Sequence, residues 1–130
     1  MIEVYEHPKT GRVIRTLTPL PRKAGDYIYF LRLNPVPGSS LPVYHKIGTT
    51  DRPLNRLKEH FRNYKYQFDI DVLWFSPGYS KYTTLRIEDK QKQWWIENTE
   101  WEYVRNDRFI IPDYVKEVTI TVRKDYIIQI

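Results

Sequence analysis

Lys46-Ile47-Gly48-Thr49-Thr50-Asp51-Arg52-Pro53-Leu54-Asn55-Arg56-Leu57-Lys58-Glu59-His60-Phe61 runs from a short strand into an amphipathic helix. Residues 43–48 read as the strand, closed by Gly48. Thr50 or Asp51 can cap the helix, and Pro53 falls in its first turn, where a missing N–H costs nothing. Leu54, Leu57 and Phe61 give the helix one apolar face, and Arg56 and His60, one turn apart, share a neighbouring face.

Working outward, residues 26–33 (Asp26-Tyr27-Ile28-Tyr29-Phe30-Leu31-Arg32-Leu33) have the β-branched and aromatic composition of a strand. The Pro- and Gly-rich segment from Asn34 to Pro42 is a loop, longer than the roughly two to five residues of most hairpins. A third strand is predicted over 69–75, with Ile70, Val72 and Trp74 alternating against Asp71, Leu73 and Phe75. Ser76-Pro77-Gly78 breaks it, and a second helix follows from about 82 to 97. Residues 98–114 read as a short helix and a turn at Pro112, and 117–122 as a strand with which 125–130 can pair. Residues 1–25 read as a short strand or arm with an irregular lead-in. The expected fold is a small α/β (α+β) sandwich: a three-stranded mixed or antiparallel sheet flanked by helices, with extra C-terminal strands. The expected organisation is an arm over 1–25, a central domain over 26–103 and an extension over 104–130 packed on it.

The chain has 130 residues, enough for one core, and no cysteine, so neither a disulfide framework nor a thiolate metal site is available. No window reaches the roughly 18 apolar residues of a membrane span, and the first 25 residues lack a signal-peptide pattern. An intracellular setting, cytoplasm or nucleus, is expected. Residues 1–65 hold 12 Lys/Arg against 5 Asp/Glu, whereas residues 66–130 hold 9 against 11. A positive field concentrated in one half suits a polyanion. A solvated basic face is the plainer meaning of the same charges. The eleven tyrosines and four tryptophans can stack on bases, though in a small domain aromatics more often fill the core.

Tyr27-Ile28-Tyr29, Lys46-Ile47-Gly48, Arg56 eight residues beyond that glycine, His60 one turn later and Glu88 on the later helix occur in an order that resembles the GIY-YIG nuclease superfamily. Tyr27 stands where the family usually has glycine, and Lys46 where it has tyrosine; both changes are similar to a branch with Tyr-Ile-Tyr and Lys-Ile-Gly-Thr-Thr strands. The resemblance covers about residues 26–103. It implies a GIY-YIG-like fold and a metal-dependent endonuclease with Tyr29, Lys46, Arg56, His60 and Glu88 as catalytic residues. Glu88 would be the metal ligand, for Mg²⁺ or Mn²⁺. Tyr27, Arg52, Lys58 and Arg62 are the candidate nucleic-acid contacts, with DNA the expected partner ahead of RNA, no membrane, and a homodimer if both strands are to be cut. The family's downstream asparagine has two candidates, Asn98 and Asn106, and neither sits in a motif that singles it out. Host, viral and mobile-element origins all suit such a protein.

The chemistry fits the residue types. A lone carboxylate suits Mg²⁺, which keeps much of its water. A planar, permanently charged Arg56 can hold a phosphate by two bonds. Tyr29 would orient or deprotonate the water, but a phenol with pKa near 10 needs a neighbouring cation such as Lys46. His60 can relay a proton or contact the phosphate. Taken singly, each residue has a plainer use: Tyr27 and Tyr29 as packing, Lys46 as a solvated charge, Gly48 as a tight turn, Arg56 as a surface partner of Glu59 or Asp51. His60 can be incidental, and Glu88, with Glu97, Glu100 and Glu102 as alternatives, an exposed helix charge. Glu88 is preferred because it shares a side of its helix with Leu85 and Trp95. Two other functions are open: a non-catalytic nucleic-acid-binding module, and a protein-interaction domain whose contact surface is Trp94, Trp95 and Trp101.

Overall fold

The computed structural model describes residues 3–112, 115, 121–122 and 128–129. Its elements are β1 (Glu3–Glu6), β2 (Val13–Thr16), β3 (Tyr27–Pro35), β4 (Tyr44–Thr50), α1 (Pro53–Asn63), β5 (Phe68–Phe75), α2 (Lys81–Asn98), β6 (Glu102–Val104), β7 (Arg108–Ile110), β8 (Thr121–Val122) and β9 (Ile128–Gln129). The strand pair expected at the centre is there: β3 and β4 run antiparallel with Tyr29 opposite Gly48 and Leu31 opposite Lys46.

The sheet is larger than the three strands expected. β5 pairs antiparallel with β3, the β1–β2 hairpin joins beyond it through a parallel β2–β5 pair, and the β6–β7 hairpin extends the sheet past β4. The order is β1-β2-β5-β3-β4-β7-β6, a seven-stranded mixed sheet in an α+β fold. The lead-in 1–25 therefore contains two paired strands. The short helix expected within 98–114 is instead the end of α2 and a β-hairpin. Its turn places Asn106 and Asp107 at φ 65° and 60°, a left-handed conformation that short polar side chains tolerate. β8 pairs with β9 as expected of the two C-terminal strands; the rest of 117–122 and 125–130, and the packing of the extension beyond residue 112 apart from Val115, lie outside the described residues.

Two apolar layers sandwich the sheet. Because successive strand residues point to opposite faces, Tyr27, Tyr29, Leu31 and Leu33 meet Leu57 and Phe61 of α1, while Ile28 and Phe30 meet Ile87 and Trp95 of α2. Strand β5 breaks the strict alternation read from its sequence. Phe30 pairs with Trp74 and Leu31 with Val72, so Leu73 is an extra residue on β5. This bulge sends Phe75 to the α1 face with Ile70 and Val72, and leaves Leu73 and Trp74 together on the α2 face.

The helix starts and faces also differ in detail. Arg52, not Thr50 or Asp51, is the N-cap of α1, without a side-chain cap bond; the Thr50 hydroxyl instead accepts from the Arg52 N–H. Leu54 is exposed, and the buried stripe is Leu57, His60 and Phe61. On α2, capped by Ser80, the buried stripe is Thr84, Ile87, Glu88, Gln91 and Trp95, with Leu85 exposed. Glu88 is buried as expected, but the face is set by Ile87 and Trp95 rather than Leu85.

Candidate active site

The site begins with the Tyr29–Gly48 pair. A Cβ on Gly48 would overlap the ring and hydroxyl of Tyr29, so the phenol lies flat across a strand that only glycine leaves open. The glycine serves this close approach and not a turn. Across the interface, α1 turns His60 inward on its buried stripe, and Tyr29 Oη lies 2.8 Å from His60 Nε2. His60 stacks on Tyr64 with centroids 5.9 Å apart, and Arg108 of β7 lies 5.4 Å over the Tyr64 ring.

Burial, followed by the fields of Lys46 and Arg56, lowers the His60 pKa to about 3. The imidazole is therefore neutral at physiological pH. With its proton on Nδ1, it accepts the Tyr29 hydroxyl proton at Nε2. Burial pushes the Tyr29 phenol above its ordinary range, and the adjacent Arg56 guanidinium opposes this without overcoming it. The resting pair is thus a neutral phenol against a neutral imidazole, the direction of the bond set by the imidazole tautomer.

Arg56, four residues before His60, borders the same cluster. Its side chain is 41% exposed, the most open of the five predicted catalytic residues whose exposure bears on access, and it pairs with Glu59 at 3.0 Å. Its Nε is buried with no hydrogen-bond partner among the described residues. The guanidinium faces a cleft of about 180 Å³ bounded by Thr49, Thr50, Asp51, Arg52, Asn55 and Glu59. A second cleft of about 200 Å³ shares Thr49–Asp51 and reaches Lys81, Thr84 and Leu85 on α2. Both clefts lie at the corner between β4 and α1, and of the five predicted catalytic residues Arg56 lines one of them.

Lys46 and Glu88 approach from the other side. Lys46 is buried and its Nζ donates to the Asn106 carbonyl at 2.6 Å. Burial lowers its pKa to about 8; Arg56 adds to this, and Asp107 and Glu88 oppose it. Burial raises the pKa of Glu88, against the pull of Lys92. Lys92 Nζ lies 3.2 Å from Glu88 Oε1 and 2.9 Å from Asp107 Oδ1. Tyr103 Oη donates to the same Asp107 oxygen at 3.2 Å.

The structure therefore brings Tyr29, His60, Arg56, Lys46 and Glu88 into one neighbourhood. It adds Lys92, Asp107 and Tyr64, which the sequence reading did not single out. Lys92 alone carried a local signal, its spacing of one helical turn from Glu88. Asp107 reaches the cluster only through the pairing of β7 with β4.

The four candidate nucleic-acid contacts are scattered. Arg52 lines the cleft with Arg56 and pairs loosely with Asp51 at 3.6 Å. Lys58 lies over the Tyr5 ring at 4.4 Å, toward the β1–β2 hairpin, and Arg62 is exposed near the end of α1. Tyr27 is buried, donates to the Lys23 carbonyl at 2.6 Å, and is not brought to the cleft surface. Of the two asparagines, Asn98 bonds back to the Trp94 carbonyl, and Asn106 meets the cluster through its backbone oxygen on Lys46.

Among the described residues no group of three or more His, Asp or Glu side chains converges as a metal cage. Glu88 is a lone carboxylate that already has a cation, the Lys92 ammonium, at 3.2 Å; a Mg²⁺ or Mn²⁺ ion held there would take its remaining ligands from water. No described helix is long and apolar enough to cross a membrane. No protein-family model, curated protein or solved structure matches the chain.

Proposed function

We propose that this chain is a metal-dependent endonuclease that hydrolyses phosphodiester bonds, in DNA ahead of RNA. The observation that carries the reading is the buried Tyr29–His60 hydrogen bond beside Arg56, laid over a glycine that has no other evident need. A core tyrosine does not require a neutral histidine and a half-exposed arginine at its hydroxyl.

In this reading Arg56 holds a phosphoryl oxygen at the cleft with the terminal guanidinium nitrogens, Nη1 being released from Glu59. Lys46 adds positive charge behind it. Tyr29 orients the attacking water, and His60 Nε2 takes the phenol's proton as the water's proton moves to Tyr29. The approach of the anionic phosphate works in favour of this transfer: it offsets the Lys46 and Arg56 fields that are among the causes of the low His60 pKa. Glu88 would hold the divalent cation, which would supply Lewis-acid stabilisation of the charge that develops on the phosphate. Backbone contacts along the basic N-terminal half give affinity with little sequence choice.

A non-catalytic nucleic-acid-binding module is the second reading, favoured by the ion pairs that occupy Arg56 with Glu59 and Glu88 with Lys92. The two separate on supercoiled plasmid with Mg²⁺ or Mn²⁺. The nuclease predicts nicking by the wild type, none with EDTA, and a loss of about 10²–10³-fold in Arg56→Ala, the scale of removing one donor to a developing oxyanion. Glu88→Ala should be at least as severe. Equal, salt-sensitive gel shifts by wild type and both variants, with no nicking under any condition, would establish the binding module instead.

A further inference from the structure

Glu88 is buried on the inner stripe of α2, and a carboxylate in that position needs a compensating charge. Lys92 supplies it from the next turn of the same helix, at 3.2 Å. The same ammonium makes its shorter contact, 2.9 Å, with Asp107 on the β6–β7 turn. Asp107 is itself held in place: Tyr103 donates to it, and the turn's left-handed Asn106 and Asp107 are fixed by the hairpin on either side. One lysine thus bridges two carboxylates on different elements, Glu88 on α2 and Asp107 on the β6–β7 turn.

We propose that Lys92 is a tethered cation that a divalent metal must displace from Glu88, and that Asp107 is the seat that retains the lysine when it gives way. The inference rests on the reading of Glu88 as the metal carboxylate. Mg²⁺ binds an oxygen ligand at about 2.0–2.1 Å, and an ammonium 3.2 Å from the same carboxylate would share the ion's surroundings and repel it. Lys92 need break only the longer of its two contacts. Without metal, the lysine keeps Glu88 neutralised and the site intact; with metal, it is parked on Asp107, still near enough to lend positive charge to the polyanion. Lys92 is then a positioning residue that sets the concentration at which metal loads.

The test is Mn²⁺ affinity, by calorimetry and by electron paramagnetic resonance of the free ion, on the full chain. Wild type is compared with Lys92→Met, Asp107→Asn, the double variant and Glu88→Gln, with thermal melts to show that each folds. Expected are binding at least about tenfold tighter in Lys92→Met, weaker binding in Asp107→Asn, and no binding in Glu88→Gln. In the Lys92→Met background, Asp107→Asn should lose most of its effect, because no lysine is left to park. Lys92→Met binding no tighter than wild type overturns the proposal, and so does an Asp107→Asn effect that is undiminished without the lysine. If Lys92→Met fails to fold, Lys92→Gln takes its place, and Asp107→Asn binding as tightly as wild type overturns the proposal by itself. Plasmid nicking by the wild type at saturating Mn²⁺ is scored separately, so the clamp can fail while the nuclease stands. Absence of Glu88-dependent binding in every protein overturns both the clamp and the metal role of Glu88.

Discussion

Tyr29 and Phe30 are neighbours on β3, both almost fully buried, and they belong to two different kinds of interior. Phe30 points to the α2 face, where Trp95 lies 5.3 Å from its ring, and Trp95 in turn meets Trp101 at 5.2 Å and Phe109 at 5.3 Å. That cluster is packed by aromatic rings, although α2 also buries Thr84, Glu88 and Gln91 along the same stripe. Tyr29 points to the α1 face, where a hydroxyl, a neutral imidazole and two cations share the space with Leu57 and Phe61. Desolvating polar groups costs stability unless each finds a partner. The Phe30–Trp95 cluster holds the sheet together, whereas the Tyr29–His60 cluster buries polar groups for a reason other than stability. The tryptophans that could have formed a contact surface belong to the first kind: Trp95 and Trp101 are buried, and Trp94 packs against them.

The largest expected effect breaks the core side of this contrast. Trp95→Ala should cost about 3–5 kcal/mol, the range for emptying a buried tryptophan site, read as a shift of the denaturation midpoint in urea. A change below 1 kcal/mol would mean that the Phe30–Trp95 cluster is not the stabilising one.

A smaller effect sharpens the polar side. If Lys46 must be an ammonium to hold the phosphate, kcat/KM should fall as pH rises through about 8, its folded pKa, and not through the usual 10.5. The linkage to folding has a defined sign. Lysine in the unfolded chain keeps its proton up to 10.5 while the folded protein has released it above about 8, so stability should rise with pH between those values. Lys46→Met should flatten both curves. A wild-type rate that climbs past pH 9 would remove the ammonium from the mechanism.

Much of the central architecture was legible in the sequence because its signals are local. Pro53 and the Leu57–Phe61 spacing mark the helix start and the helix face within a few residues of one another; Gly48, expected to close its strand, instead lies within β4, which runs on to Thr50. The unread parts depend on distant partners. β2 forms because Arg15 and Val13 find Asp71 and Asp69, 56 residues away, and no local pattern announces that pairing. The Leu73 bulge shows only when β5 is laid against β3. At the site, Arg56 and His60 were readable from helical spacing, but the Tyr29–His60 contact depends on Gly48 of another strand, over which the phenol lies. Asp107 was hidden for the same reason as β2: the β6–β7 turn becomes part of the site only when β7 pairs with β4.

The most direct measurement sets the two neighbours against each other: Tyr29→Phe and Phe30→Leu, each assayed for plasmid nicking and for melting temperature under one condition. Tyr29→Phe removes one oxygen and its bond to His60, worth about 1 kcal/mol of stability, whereas Phe30→Leu disturbs the packing against Trp95. The account predicts that Tyr29→Phe melts near the wild type and loses nicking about 10²-fold or more, while Phe30→Leu melts lower and still nicks below its transition. A Tyr29→Phe protein that nicks at the wild-type rate would contradict it, and would return Tyr29 to the core with Phe30.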